Sequence, residues 1–293
     1  MESRNHSNPH LRIKENIVFE LDNLGVSESL KMELVKEIPS RWEKLGDMVI
    51  FPQGTDTTNW PMEEVAEILQ ANRIGIQNEI DSGPTRKSQL ELVHGGDGWV
   101  VHRENFVEYE FDATQVMFSS GNVTERRRMG EIARENEIVV DLFCGIGYYT
   151  LPILVKNKIK HVYSCEWNDN AIKALKFNLE NNNVSKKCTI IEGDNRLTTK
   201  ELTDKADRVL LGLLPTSEGS YQVALSCLKP KGGVLHIHGL SPSNDYQRFV
   251  TETCKKLLDI NAKYKITDIQ INKIKSYAPH WDHLVLDIEI GKK

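Results

Sequence analysis

From Ile138 onward, short runs rich in Val, Ile and Leu alternate with amphipathic segments, and this alternation leaves few folds open to the chain. IVVDLF (138–143), HVYSCE (161–166), CTIIEG (188–193), DRVLLGLL (207–214) and GVLHIH (233–238) are apolar runs suited to strands buried on both faces. Between them, TLPILVKN, NDNAIKALKFNLENN and GSYQVALSCL carry apolar residues at helical spacing. Strand and helix in regular alternation predict βαβ units, right-handed crossovers and a parallel sheet. The end breaks the rhythm: after the helical DYQRFVTETCKKLLDI come two adjacent strands, AKYKITDIQINKIK and HLVLDIEI, with only a short link. The fold class expected is therefore α/β, a Rossmann-like domain with a seven-stranded, mostly parallel sheet ending in an antiparallel pair.

The preceding residues read differently. SLKMELVKE (29–37) predicts a helix that Ile38-Pro39 ends, because the residue before proline avoids the α region. RWEKLGDMVIF (41–51) reads as a loop into a short strand, and MEEVAEILQAN (62–72) as a helix with Val65, Ile68 and Leu69 on one face. LELVHG, WVVHR and NFVEYEF read as strands about a turn at Gly95–Gly98. Residues 1–110 hold 11 Lys and Arg against 20 Asp and Glu, whereas residues 111–293 hold 26 against 22. The change of sign, −9 to +4, places a boundary near residue 110, between a small α+β domain (1–110) and the larger one (111–293). Phosphate contacts are expected mostly from the second part.

The first seventeen residues mix charges with Asn, Ser and Pro, lack an apolar signal segment, and read as a frayed tail. No run approaches the roughly 18 apolar residues of a membrane span. Five cysteines with no CxxC among them point to a reduced, metal-free, cytoplasmic protein without a membrane partner.

The chemistry sits at the strand ends. Asp141-Leu-Phe-Cys-Gly145-Ile-Gly147 lies where the first strand turns into a helix, and its glycines let the backbone come close to a ligand. Thr150 stands where a dinucleotide fingerprint has its third glycine, which disfavours that cofactor. Asp141, Glu166 and Asp194 end or follow the first three strands, and in an open parallel sheet ligands bind beyond those carboxyl ends. A carboxylate after the second strand can take both ribose hydroxyls, and one after the third can accept from an adenine amine. Together with the terminal antiparallel pair, this constellation points to S-adenosylmethionine. Cys144 and Cys165 read as small buried residues, and His236 and His238, alternating on one strand without a third ligand, as packing. Asn181-Asn182-Asn183 reads as a helix end. Glu125-Arg126-Arg127-Arg128, taken alone, reads as a solvated helix face.

Context changes that last reading. RWEKLGD (41–47), MFSSGN (117–122), the ERRRM helix, DLFCGIGYYTLP (141–152) and CEWNDNAIKALKFNLENN (165–182) resemble the tRNA position-37 enzymes. These comprise guanine-N1 methyltransferases and wybutosine-pathway aminocarboxypropyltransferases, and the resemblance covers roughly residues 38 to 240. The methyltransferase branch looks like Asp-hydrophobic-Arg after the third strand and Asn-Leu-Pro or Asn-Pro-Pro after the fourth. Here the corresponding stretches are Asp194-Asn195-Arg196 and Gly212-Leu213-Leu214-Pro215-Thr216-Ser217, which are similar to the aminocarboxypropyl branch, as are Cys165–Asn168 and Leu235–His238.

The resemblance implies transfer of the 3-amino-3-carboxypropyl group of S-adenosylmethionine to C7 of 4-demethylwyosine at position 37 of tRNA-Phe, with methylthioadenosine released. It implies a cofactor site of Ser119, Arg126, Asp141, Gly145, Gly147, Glu166, Asp194 and Asn195, and a partner in the tRNA-Phe anticodon region. An arginine suits the methionine carboxylate through paired N–H donors. No general base is assured, and Asp141 is the one candidate, its usual role being to orient the loop and cofactor. The alternatives are guanine-N1 methylation of the same nucleotide, a small-molecule methyltransferase, and a non-catalytic tRNA-binding protein with a vestigial pocket.

Overall fold

The structure, a computed structural model, describes residues 9–58, 60–78 and 88–293. It contains two compact units, Met1–Arg103 with Tyr109–Ser120, and Glu104–Glu108 with Gly121–Lys293.

In the first unit, helices α1 (Pro9–Asn23) and α2 (Glu28–Glu37) precede strands β1 (Glu43–Leu45) and β2 (Met48–Phe51). Helix α3 (Met62–Ile68), β3 (Arg73–Gln77) and β4 (Leu90–His94) follow. The sheet order is β1-β2-β3-β4, with β2 and β3 parallel because α3 carries the chain across between them. Ile17, Leu21, Leu34, Phe51, Trp60, Val65 and Ile74 fill its core, with the Phe51 and Trp60 rings edge to face at 5.2 Å. The opening residues correct the sequence reading: Pro9 to Ile17 are helical, not a tail, while residues 1–8 lie outside the described residues. Ile17 and Leu21, four apart, both bury one helix face, a spacing that the surrounding charges disguise. Strands β5 (Trp99–Glu104) and β6 (Val107–Asp112) form a hairpin whose two turn residues, Asn105 and Phe106, both have positive φ, as the twist of a two-residue turn requires.

The second unit contains α4 (Val123–Ile132), β7 (Ile138–Asp141), α5 (Thr150–Lys156), β8 (His161–Glu166), α6 (Asp169–Asn181), β9 (Cys188–Glu192) and α7 (Asn195–Thr198). These lead to β10 (Arg208–Leu211), α8 (Tyr221–Cys227), β11 (Gly232–Pro242), α9 (Tyr246–Ile260), β12 (Tyr264–Ala278) and β13 (Trp281–Lys292). The seven strands run in the order β12-β13-β11-β10-β7-β8-β9. β9, β8, β7, β10 and β11 pair in parallel, and β13 and β12 pair antiparallel at the end. On one face Val140, Val209, Leu235 and Ile237 pack under Ala224 and Leu225 of α8 and Val250 and Leu257 of α9. Strand β10 stops at Leu211, short of the predicted Leu214, and β11 runs on to Pro242, well past the predicted His238. Among the described residues no helix is long and apolar enough to cross a membrane.

A polar chain crosses the second unit. Arg128 of α4 grips Glu125 through Nε and Nη2 (2.7 and 2.8 Å) and Asp287 of β13 through Nη1 (2.5 Å). Asp287 also meets Nδ1 of His236 at 2.6 Å, His236 meets Arg208, and Arg208 meets Glu137 at 2.9 Å. Burial opposes charge on Asp287, but His236 and Arg128 outweigh it and hold the carboxyl well below its usual range. The expected solvated face is therefore corrected: Glu125 and Arg126 are buried and Arg128 is largely occupied, which leaves Arg127 as the exposed member of the run. Asp287→Ala should leave Arg128 and His236 without their shared carboxylate and cost about 3–5 kcal/mol. Urea unfolding at neutral pH, with an unchanged m-value, measures it.

Candidate functional site

The carboxyl ends of β7 and β8 lie side by side, with Asp141 paired in register to Ser164. Asp141 is fully buried, accepting from Thr150 Oγ1 at 2.9 Å and the Phe143 N–H at 3.3 Å. Thr150 and Ser164 hydroxyls meet at 2.8 Å, so the carboxyl closes a small buried network without any cation in it. Burial pushes its pKa up to about 7, against the two hydrogen bonds that favour the charge.

Glu166 ends β8 and is held by amides. Its Oε2 accepts from the Gly145 N–H at 2.9 Å, and its Oε1 from the N–H groups of Trp167 and Asn168 at 2.9 and 2.8 Å. Burial raises its pKa, and the three N–H donors offset that. The loop that delivers Gly145 depends on positive φ there and at Gly147. A Cβ on Gly145 would come within 2.4 Å of the Tyr148 ring, and one on Gly147 within 2.8 Å of Leu151. Asn178 of α6 holds the same loop by donating to the Ile146 carbonyl at 3.0 Å.

After β9, Asp194 caps α7 by accepting from the Arg196 N–H at 2.9 Å, and the Arg196 guanidinium folds back on it at 2.5 Å. That side-chain contact, ahead of the backbone one, lowers the Asp194 pKa. Asn195 is buried, donating to the Leu142 carbonyl at 2.8 Å and accepting from Ser220 at 2.9 Å. It thereby ties the glycine loop to the start of the α8 segment.

Hydrogen bonds thus bring the Asp141–Gly147 loop together with Glu166 and Asn195. Arg126 stands on α4, 1% exposed, and is gripped by Glu104 through Nε and Nη2, the latter at 2.8 Å. Ser119 belongs to the first unit. Cys144 and Cys165 are buried, with their thiols pushed up chiefly by burial.

Sequence reasoning passed over two features. Tyr149 packs against Gly212, where an added Cβ would meet the ring at 3.0 Å, and faces the His238 ring at 5.0 Å. His238 Nδ1 meets His283 Nε2 at 3.0 Å, a pairing between strands 45 residues apart in sequence that no local pattern announces. Among the described residues no group of three or more His, Cys, Asp and Glu side chains could hold a metal ion.

A mostly parallel seven-stranded sheet with an antiparallel terminal pair, a glycine loop after its first strand and acids at successive strand ends is the fold of S-adenosylmethionine-dependent transferases. A family profile described as the TRM5/TYW2 methyltransferase domain matches residues 100–269, and one described as the TYW2 N-terminal domain matches residues 24–98. The chain belongs to this TRM5/TYW2 family. It is 45% identical over 291 residues to a protein of Arabidopsis thaliana named tRNA wybutosine-synthesizing protein 2/3/4, covering 96% of this chain and 29% of that relative. It is 37% identical to the tRNA wybutosine-synthesizing protein 2 homolog of Danio rerio, covering 88% of this chain and 73% of the relative. The chain thus spans less than a third of the plant protein. A crystal structure described as P. horikoshii TYW2 in complex with MeSAdo superposes with a TM-score of 0.81 at 31% identity, covering 96% of this chain and all of that one.

The buried acids predict a pH dependence. Between about pH 4, where an exposed aspartate titrates, and the folded value of about 7, the folded protein keeps a proton on Asp141 that the unfolded chain has released. The folded state then binds more protons, so stability falls as pH rises through this window. Asp141→Asn should show a shallower fall than the parent in urea titrations between pH 4 and 7. Glu166, shifted in the same direction, supplies the remaining slope. Parallel profiles in parent and variant would contradict a buried, protonated Asp141.

Proposed function

We propose that this chain transfers the 3-amino-3-carboxypropyl group of S-adenosylmethionine to C7 of 4-demethylwyosine at position 37 of tRNA-Phe, releasing methylthioadenosine. The observation that carries the reading is the stretch after β10. Gly212–Ser220 contains no asparagine, so the amide with which ring-nitrogen methyltransferases grip their base is missing. The names of the relatives support it, as does the MeSAdo bound to the P. horikoshii structure, since methylthioadenosine is the small product of this transfer and not of methylation.

S-adenosylmethionine would supply a γ-carbon already activated by the neighbouring sulfonium, and the protein's part is to place it. In the transfer the acceptor carbon forms a bond to that γ-carbon, the carbon–sulfur bond breaks with its electron pair going to sulfur, and the acceptor carbon's proton leaves to water. In this proposal Glu166 takes the ribose hydroxyls, for which its N–H-fixed orientation is suited. Asp194 and the Asn195 backbone receive the adenine edge, and Gly145 and Gly147 leave room beneath the ligand. Arg126, whose plane Glu104 fixes, is assigned to the methionine carboxylate, and Ser119 is included on the family resemblance. Asp141, with Thr150 and Phe143 donating to it, is assigned to holding the loop, not to proton removal. The anticodon region of tRNA-Phe is the proposed RNA partner.

Incubation with S-adenosylmethionine and tRNA carrying the tricyclic base, followed by mass spectrometry of the digest, tests the reaction. An aminocarboxypropyl addition with methylthioadenosine is expected. A methyl addition with S-adenosylhomocysteine would favour guanine-N1 methylation instead. For the site, Glu166→Ala and Asp194→Ala should each weaken methylthioadenosine and S-adenosylmethionine alike by about 1.5–3 kcal/mol in calorimetric titrations. Arg126→Lys should weaken S-adenosylmethionine alone, because lysine keeps the charge without the planar fork. Unchanged affinity removes the residue from the proposed pocket.

A further inference from the structure

The antiparallel end of the sheet reaches beyond the rest. β10 and β11 pair as far as Leu211 and Ile237, but β11 continues against β13 to Pro242 opposite Trp281. That is five further register positions, roughly 17 Å at about 3.3 Å per residue. β12 follows, with Ala278 opposite Trp281. The last strands therefore form a three-stranded flap standing above the carboxyl edge of the sheet, the edge at which Asp141 and Glu166 lie.

The flap is tied down near its far end. Asp282 is buried and accepts from Tyr246 Oη at 2.5 Å, Lys273 Nζ at 2.9 Å and Ser276 Oγ at 3.1 Å. Beside this anchor two large aromatic side chains are exposed: Tyr277 is 47% exposed and Trp281 45%. Near this end β12 carries Lys273, half-exposed although paired with Asp282, and Lys275, with no acid on the strand after Asp268. The two rings stand within four residues of each other across the hairpin end, on a support fixed by hydrogen bonds.

We propose that Tyr277 and Trp281 form a stacking surface for unpaired nucleotides beside the base that enters the site. The inference rests on the proposed function in that the partner is RNA. A base attacked on a ring carbon must leave its stack, and its neighbours then lose a stacking partner. Aromatic side chains beside lysines replace that partner without regard to sequence, because every base has a π-face and every nucleotide a phosphate. The flap offers both beyond the carboxyl edge of the sheet. Of the sheet's strands, only β10 stands between the flap and β7, whose end carries Asp141.

The test uses the full chain and tRNA as the probe. Tyr277→Ala and Trp281→Ala should each raise the tRNA dissociation constant by about tenfold, the double variant by more, and Trp281→Phe should retain most of the binding. Methylthioadenosine affinity should be unchanged in all four. Unaltered tRNA binding by the double variant, with the parent binding normally, would overturn the stacking surface and leave the proposed reaction standing. Loss of methylthioadenosine affinity together with tRNA affinity would overturn it too, by showing that the rings support the fold. A parent protein that binds no tRNA would refute the proposed function along with the inference.

Discussion

The carboxylate of Glu166 is the fixed point of the second unit. It stands partly buried at the end of β8, and its charge is met by the N–H groups of Gly145, Trp167 and Asn168. Hydrogen bonds to a carboxylate favour its charged form, and burial opposes it. One of those donors lies in the loop after β7 and two in the turn after β8, so the same side chain sets the conformation of both strand ends. The positive φ at Gly145 follows from that demand, since the chain must turn its N–H back toward the acid.

Glu166, Asp141 and Asp287 are handled in three ways. Glu166 is solvated by backbone, Asp141 joins a hydroxyl network while burial raises its pKa, and Asp287 is matched by Arg128 and His236. The solutions follow position. Asp287 faces α4, whose Arg128 reaches the sheet, whereas Asp141 and Glu166 stand at strand ends and are met by hydroxyl and N–H groups. The arginine run divides accordingly: Arg128 serves the sheet, Arg127 is exposed, and Arg126 is gripped by Glu104 at the hairpin tip. The Asn182 side chain holds the adjoining residue Glu108 by accepting from its N–H at 3.0 Å and donating to its carbonyl at 2.7 Å.

Much of this was legible in sequence. The parallel strands announce themselves because burial on both faces demands continuous apolar runs, as in HVYSCE, whose predicted bounds coincide with β8. The acids were legible because they stand on a strand end or within two residues of it. What sequence hid depends on distant partners. Arg128 reads as a solvated charge until Asp287, 159 residues away, arrives beside it. His238 reads as packing until His283 supplies its partner from β13. The extension of β11 to Pro242 is a property of its pairing with β13, not of its own residues. Helix α1 went unread because its apolar face is thin, carried by Ile17 and Leu21 among charges.

If the acids at the ends of the parallel strands, Glu166 foremost, form the proposed nucleoside site, a crystal structure of the protein with methylthioadenosine has both ribose hydroxyls within about 3 Å of the Glu166 carboxylate. Its Gly145 hydrogen bond stays intact, and the adenine edge lies against Asp194 and the Asn195 backbone. A nucleoside bound away from Glu166, or a Glu166 that gives up the Gly145 N–H to admit it, would refute that site.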